Sequence, residues 1–503
     1  MTKPTGREPL RVRRSRRSGG MAQEARKSWH LVLATLVLVV LAIPAALLVA
    51  PGIVGPGFFG SSAPAPAPAA PAWQQAPATL SAPQVLAPLQ PSAPVPAPSA
   101  VAAQVEPVLT ADGGGTFTGM VQDALTGQVL FDRGGAEGRV PASNLKLLTA
   151  VAALRTLGPE HRFTTQVVQG PAPGQVVLVG GGDVLLGAGQ SRPGQAMGHA
   201  GLATLAALTV QALQAAGTAG DIKVLVDDSL FTGPALNPNW QSGDVEAGEI
   251  APLYPLALNS ARFDPAVTTG PRPQDAAMAA AEAFAAQLRT AGAGAGLTVA
   301  AGVDRSPGAA KAGAAALASV ASAPVAEQVD LMLQVSDNYL AETMGRMAAV
   351  ATGRPGSNDG ATAAVTAELA AAGVTPDAVK LVDVCGLAMG NQVTARQFTD
   401  VVRAMTTGAD TRLRAALDGF PVGGLSGTLD TRYGDATTSG GAGLVRAKTG
   451  TLNTVLALSG YVVDSDGRLL VFSFIGNGLT PGAAGNKVAL DRAATALAGC
   501  GCR

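Results

Sequence analysis

Hydrophobic and polar positions divide the chain into stretches of different period. Residues 29–50, WHLVLATLVLVVLAIPAALLVA, form one long apolar run. Twenty such residues at ~1.5 Å each cross the ~30 Å hydrocarbon layer of a bilayer. Residues 116–133, TFTGMVQDALTGQVLFDR, set two β-rich runs around a Thr-Gly turn and predict a hairpin. The next run, PASNLKLLTAVAAL at 141–154, predicts a helix that starts near Ser143 after Pro141 and stops at Gly158-Pro159. Leu145, Leu148 and Ala152 share one face, and Leu147, Val151 and Leu154 fill much of the rest, so the helix is buried.

The texture then changes. Between residues 165 and 324, short apolar runs such as QVVLVG (175–180) and DIKVLVDD (221–228) predict strands, alternating with Ala-rich helical patches at 200–216 and 275–291. Residues 325–349 predict a helix or helix pair with a local interruption near Ser336-Asp337-Asn338, and 359–374 and 393–407 predict further helices. LVRAKTG (444–450) predicts a strand, residues 456–476 two more around Asp464–Gly467, and 485–498 a closing helix. Strands at both ends with helices between them imply one α/β domain, 109–164 and 325–503, split by a large mixed α/β insertion at 165–324.

Composition and charge change the picture at the N-terminus. Residues 1–28 are basic, which keeps them cytoplasmic beside a membrane segment and sends the rest of the chain out. Residues 29–50 are then a transmembrane anchor or, alternatively, a signal segment. Residues 51–108 are nearly all Pro, Ala, Gly, Ser, Gln and Val and predict an extended spacer. Formal net charge is zero, so no general grip on nucleic acid is indicated. Export permits disulfides among Cys385, Cys500 and Cys502, with the pairing left open.

Rare residues exclude several chemistries. The histidines are His30, His161 and His199, no G-x-S-x-G elbow occurs, no His/Cys cluster suits zinc, and no phosphate-binding loop is present. No metal or other cofactor is expected, and lysine is the remaining candidate base. The chain has only eight lysines. One, Lys146, stands three residues after Ser143, and residues three apart on a helix are neighbours. Burial lowers a lysine pKa, and a neutral amine can take a serine proton.

Two further stretches complete a pattern: Ser336-Asp337-Asn338 and Lys448-Thr449-Gly450, the latter within AKTGTL. S-x-x-K, S-x-N and K-T-G in this order form the signature of penicillin-binding proteins and serine β-lactamases. Over roughly residues 110–500 the chain resembles the D-alanyl-D-alanine carboxypeptidase/endopeptidase family of class C, low-molecular-mass penicillin-binding proteins. The resemblance includes PASNLK, SDNYLAE (336–342), SGTLDTR (426–432), VRAKTGTL (445–452) and LSGYV (458–462). It implies a serine β-lactamase/transpeptidase-like domain: an antiparallel sheet with a helical cluster.

The resemblance also implies roles. Ser143 is the nucleophile, Lys146 its base, and Ser336 and Asn338 assist. Lys448 and Thr449 face the substrate carboxylate, with Gly450 and Thr451 as further substrate-binding positions. The implied partners are peptidoglycan stem peptides, β-lactam antibiotics and, through residues 29–50, a membrane. One departure stands out: the family's D-G-S-G-L-S reads Asp383-Val384-Cys385-Gly386-Leu387-Ala388 here. Two other readings carry different tests. A β-lactamase would turn penicillin over rapidly, but no E-x-x-L-N-like stretch lies between Ser336 and Lys448, and Glu342 and Glu368 are expected to be solvated or structural. A non-catalytic wall-binding or β-lactam-sensing module would release no D-alanine.

Overall fold

The structure, a computed structural model, describes residues 91–310, 314, 316–480 and 482–501. The expected cytoplasmic tail, the apolar run at 29–50, most of the spacer, and Cys502 lie outside the described residues. Among the described residues no helix is long and apolar enough to cross a membrane.

The hairpin forms as β1 (Gly114–Asp123) and β2 (Val129–Arg133), preceded by α1 (Pro98–Val105). A 3₁₀ turn at Ala142–Leu145 leads into α2 (Lys146–Thr156). The long middle section contains β3 (Thr164–Gln169), β4 (Gln175–Val179), α3 (Leu202–Ala215), β5 (Gly220–Asp227), α4 (Ser242–Glu246), α5 (Ala276–Gly292), β6 (Leu297–Val299), β7 (Asp304–Arg305) and β8 (Ala316–Ala321). Then come α6 (Val325–Gln334), α7 (Asn338–Ala351), α8 (Asn358–Ala371), α9 (Ala395–Thr406), β9 (Arg446–Leu452), β10 (Val455–Val463), β11 (Leu469–Thr480) and α10 (Ala483–Ala498).

The first sheet is antiparallel throughout, in the order β2-β1-β11-β10-β9. Strand β11 is buried over eight consecutive positions, Leu469 to Gly476, as expected for a strand covered on both faces. On one side α1 and α10 pack with Phe472, Phe474 and Leu458. On the other, α2, α7, α8 and α9 build a helical core around Leu148, Tyr339 and Phe398. Strand β9 is left at the edge, where the cleft opens. The second sheet, β6-β5-β4-β3-β8 with β7 beside β5, is mixed parallel and antiparallel and lies against α3 and α5.

Two boundaries differ from the sequence expectation. Residues 91–108 are folded, not spacer: Ala93, Val101 and Val105 are buried, and Arg468 donates to the carbonyls of Pro91 and Ala93 at 3.1 Å. Pro/Ala composition masks the two valines that α1 turns inward. The insertion is also not segregated. Trp240, Ile250, Leu253 and Ala261 belong to the main helical core, so this stretch reaches from the second sheet into the site.

Candidate active site

Ser143 lies within the 3₁₀ turn and Lys146 directly follows it. In a 3₁₀ turn, side chains at i and i+3 eclipse, and Lys146 Nζ donates to Ser143 Oγ at 2.9 Å. The turn is strained at Ala142, whose φ is +46°. It is pinned from below by a buried polar chain: Asn144 Nδ2 donates to Ser459 Oγ at 2.6 Å, and Ser459 donates to Ser473 Oγ at 2.8 Å. Strand β9 passes close by. A Cβ on Gly450 would meet the Pro141 carbonyl at 2.8 Å and Ala142 Cβ at 3.1 Å, so Gly450 serves close approach and does not line the cleft.

Lys146 is fully buried and makes two more hydrogen bonds, to Asn338 Oδ1 at 2.6 Å and to the Cys385 carbonyl at 2.8 Å. Burial pushes its pKa below the ordinary lysine range, opposed by acidic groups around it at Cys385, Asp383, Asp337 and Glu342. The Cys385 thiol is itself pushed well above its usual range by burial, so it carries no charge near neutral pH.

The break between α6 and α7 presents the second motif. Ser336 takes a left-handed φ of +59°, and Asp337 caps α7 by accepting the Leu340 N–H at 3.0 Å. Asp337 is held in turn by Ser260 Oγ at 2.8 Å and by an ion pair with Arg262 at 2.9 Å. Asn338 Nδ2 donates to the Glu249 carbonyl at 3.1 Å, which fixes the amide with its oxygen toward Lys146. Lys448, also fully buried, reaches across from β9 and donates to Ser336 Oγ at 2.9 Å and to the Thr449 carbonyl at 2.8 Å. Burial sets its pKa well below the ordinary range, and nearby Lys146 lowers it further. Thr449 Oγ1 pairs with Thr428 Oγ1 at 2.6 Å.

These groups open on a cleft of about 1110 Å³. Ser143, Ser336, Asn338, Thr449 and Thr451 line it, while Lys146 and Lys448 lie beneath its floor. Gln241, Glu249 and Arg262 bring the insertion into its lining. Ser143, Lys146, Ser336, Asn338, Lys448, Thr449 and Thr451 are thus gathered in one place.

Several contributors were not named from sequence. Thr428 lies within the SGTLDTR resemblance, but its pairing with Thr449 had no local signal. Trp240 Nε1 donates to Asp383 Oδ2 at 3.0 Å across 143 residues of chain. The altered 383–388 loop keeps Asp383 and Gly386 for visible reasons. Asp383 accepts the N–H groups of Gly386 and Ala388 at 2.9 and 2.7 Å. Gly386, at φ +87°, packs so tightly that a Cβ would sit 1.9 Å from the Ala142 carbonyl. Cys385 is a free, buried thiol, whereas Cys500 is disulfide-bonded.

A helical cluster on a five-stranded antiparallel sheet, with these three motifs meeting at the edge strand, defines a β-lactamase/transpeptidase-like fold. The chain belongs to the D-Ala-D-Ala carboxypeptidase 3 (S13) family, whose sequence profile matches residues 101–274 and 266–497. It is 36% identical to carboxypeptidase DacB of Mycolicibacterium smegmatis over 483 residues, covering 95% of this chain and 98% of that protein. It is 40% identical to a carboxypeptidase of Mycobacterium tuberculosis over 391 residues, covering 77% of this chain and 81% of that one. Its fold is similar to the crystal structure of penicillin-binding protein 4 of Haemophilus influenzae, with a TM-score of 0.63 at 20% identity, covering 79% and 97% of the two chains. The chain is therefore a peptidase of the D-Ala-D-Ala carboxypeptidase type.

Proposed function

We propose that this enzyme removes the terminal D-alanine of peptidoglycan stem peptides through an acyl-enzyme on Ser143. The observation that carries the reading is a fully buried Lys146 whose Nζ lies 2.9 Å from Ser143 Oγ. The neutral amine takes the hydroxyl proton as Oγ attacks the carbonyl of the penultimate D-alanine. The N–H groups of Ser143 and Thr451 receive the oxyanion, and each such donor is typically worth ~2.7–4 kcal/mol. The C–N bond then breaks, and the departing amine takes a proton through Ser336, which Lys448 holds. Lys448, Thr449 and Thr428 accommodate the terminal carboxylate. Water returns Ser143 to its starting state. When the departing amine belongs to a crosslink, the same steps make an endopeptidase.

A β-lactam presents the same carbonyl and carboxylate and acylates Ser143 in the same way. Neither glutamate considered for a deacylating water is free for it. Glu342 is fully buried and accepts backbone N–H groups, and Glu368 is paired with Arg155 at 2.9 Å. A long-lived penicilloyl-enzyme is expected. Residues 29–50 hold the enzyme to the outer face of the cytoplasmic membrane in this reading; removing them should shift the protein from the membrane to the soluble fraction. The function itself is tested by incubation with a stem pentapeptide. D-alanine release that vanishes in Ser143→Ala supports it. Penicillin labelling without D-alanine release points to a sensing module.

A further inference from the structure

Lys146 has two acceptors besides Ser143, and both trace back to one helix. Asn338, at the start of α7, supplies one directly. The other, the Cys385 carbonyl, belongs to a loop held by Glu342, one turn further along α7. Glu342 Oε1 accepts the N–H groups of Val384 and Cys385 at 2.8 and 2.9 Å. From the opposite side, Thr149 on α2 donates to the Val384 carbonyl at 2.5 Å. The peptide before Cys385 is thus fixed at both its N–H and its C=O. The peptide after it is fixed by the Gly386 N–H on Asp383 and the Cys385 carbonyl on Lys146. Glu342 is fully buried, and its second oxygen has no hydrogen-bond partner among the described residues.

A cation is the first alternative for such a group, since ligand atoms of Glu342, Asp383 and Cys385 lie within 4.8 Å of one another. The donor set does not fit. The Asp383 oxygens already accept from Trp240, Gly386, Ala388 and Asn391, and Glu342 Oε1 accepts twice. Arg346 supplies positive charge to Glu342.

We propose that Glu342 is a positioning residue for acylation: by holding the N–H groups of Val384 and Cys385 it aims the Cys385 carbonyl at Lys146 Nζ and keeps the amine on Ser143. The inference rests on Lys146 being the base. One helix then sets the amine from two directions, through Asn338 and through Glu342. The charged and titratable groups facing Glu342 are Arg346 on its own helix, Asp383 and Cys385 on the loop, and Lys146 on α2. Burial and the Asp383 carboxylate raise the Glu342 pKa to about 7. Its charge, when present, favours the ammonium form of Lys146.

Two substitutions separate the hydrogen bonds from the charge. Glu342→Ala removes both, whereas Glu342→Gln keeps a carbonyl oxygen for the two N–H groups. The experiment measures the rate of acylation by a fluorescent penicillin against pH for the full chain and both variants, with circular dichroism as the check on folding. Glu342→Ala should lose about 100-fold in rate, as expected when a reacting group is misplaced by an ångström. Glu342→Gln should keep its plateau rate within about fivefold, and its acid limb should move to lower pH by about half a unit or more as an anion near Lys146 disappears. A folded Glu342→Ala enzyme acylated at the wild-type rate would overturn the proposal, as would Glu342→Gln as slow as Glu342→Ala. If Glu342→Ala does not fold, Glu342→Asp decides: it keeps the charge but withdraws the oxygen from the two N–H groups, so a plateau rate well below that of Glu342→Gln supports the role and a wild-type plateau rejects it. Failure of the base reading itself is a separate result, seen as normal labelling of Lys146→Ala.

Discussion

Lys146 and Lys448 are both fully buried, and each donates to a serine hydroxyl at 2.9 Å, yet the two corners of the cleft differ in charge. Around Lys146 stand the carboxyl groups of Asp383, Asp337 and Glu342, which counter the desolvation that lowers its pKa. Around Lys448 no carboxylate among the described residues opposes burial, and Lys146 adds repulsion. A buried lysine without an anion prefers to be neutral. The difference assigns complementary tasks. The Lys146 corner carries its own counter-charges and remains assembled without substrate. The Lys448 corner lacks one, and the substrate carboxylate supplies it.

The comparison breaks most severely if Lys146 is dispensable. Lys146→Ala should reduce acylation by about a thousandfold or more, since it removes the proton acceptor for Ser143. Labelling with fluorescent penicillin, with near-ultraviolet circular dichroism as the folding check, measures this. A smaller, selective loss is expected for Lys448→Ala. A hydrogen bond to a charged group contributes ~1.5–3 kcal/mol, so kcat/KM for a peptide ending in a free carboxylate should fall about 10- to 100-fold. The corresponding peptide amide should lose less, because it keeps only the part of the loss that comes from releasing Ser336, and equal losses for both would refute the division of tasks.

The same argument fixes a pH dependence. The free Lys448 pKa is depressed, and an incoming carboxylate raises it, so binding takes up a proton between the two values. Affinity for the carboxylate peptide should fall as pH rises through that window, while the amide is insensitive. Competition binding of the two peptides at several pH values measures the effect.

Asp183 extends the comparison to a buried acid without a counter-charge among the described residues. Its Oδ1 accepts the Leu185 N–H at 2.9 Å, its Oδ2 has no partner, and burial raises its pKa to about 7. The folded state therefore holds a proton that the unfolded chain releases near pH 4. Stability from this group is full at low pH and is lost as pH rises toward about 7. Asp183→Asn should stabilise the protein by on the order of 1–3 kcal/mol at pH 8 and by little at pH 4, measured by urea unfolding. The smallest effect belongs to Cys385→Ser. Lys146 binds the Cys385 backbone carbonyl and not its sulfur, so acylation should stay within about threefold.

The site was legible where chemistry is tied to short sequence spacing. Ser143 and Lys146 meet because three residues make one turn, although the turn is 3₁₀ and not the α-helix expected from Ser143 onward. The helix break at Ser336 and the strand bearing Lys448 were likewise readable from pattern. What escaped the sequence is carried by the backbone or by distance. A main-chain carbonyl at Cys385 has no residue-type signal. Glu342 could equally have been solvated, because its helix is buried along nearly its whole length and periodicity gives no exposed face. In the fold, α1 was hidden in Pro/Ala composition, and β8, ALASVA, alternates too weakly to register. The path of Trp240 into the helical core depends on tertiary packing across the insertion.

The most direct test of the account is time-resolved intact-protein mass spectrometry with benzylpenicillin, followed by peptide mapping. The account predicts a single adduct on Ser143 that persists for hours, and none in Lys146→Ala. An adduct on another residue, or none on folded wild-type protein, would contradict it.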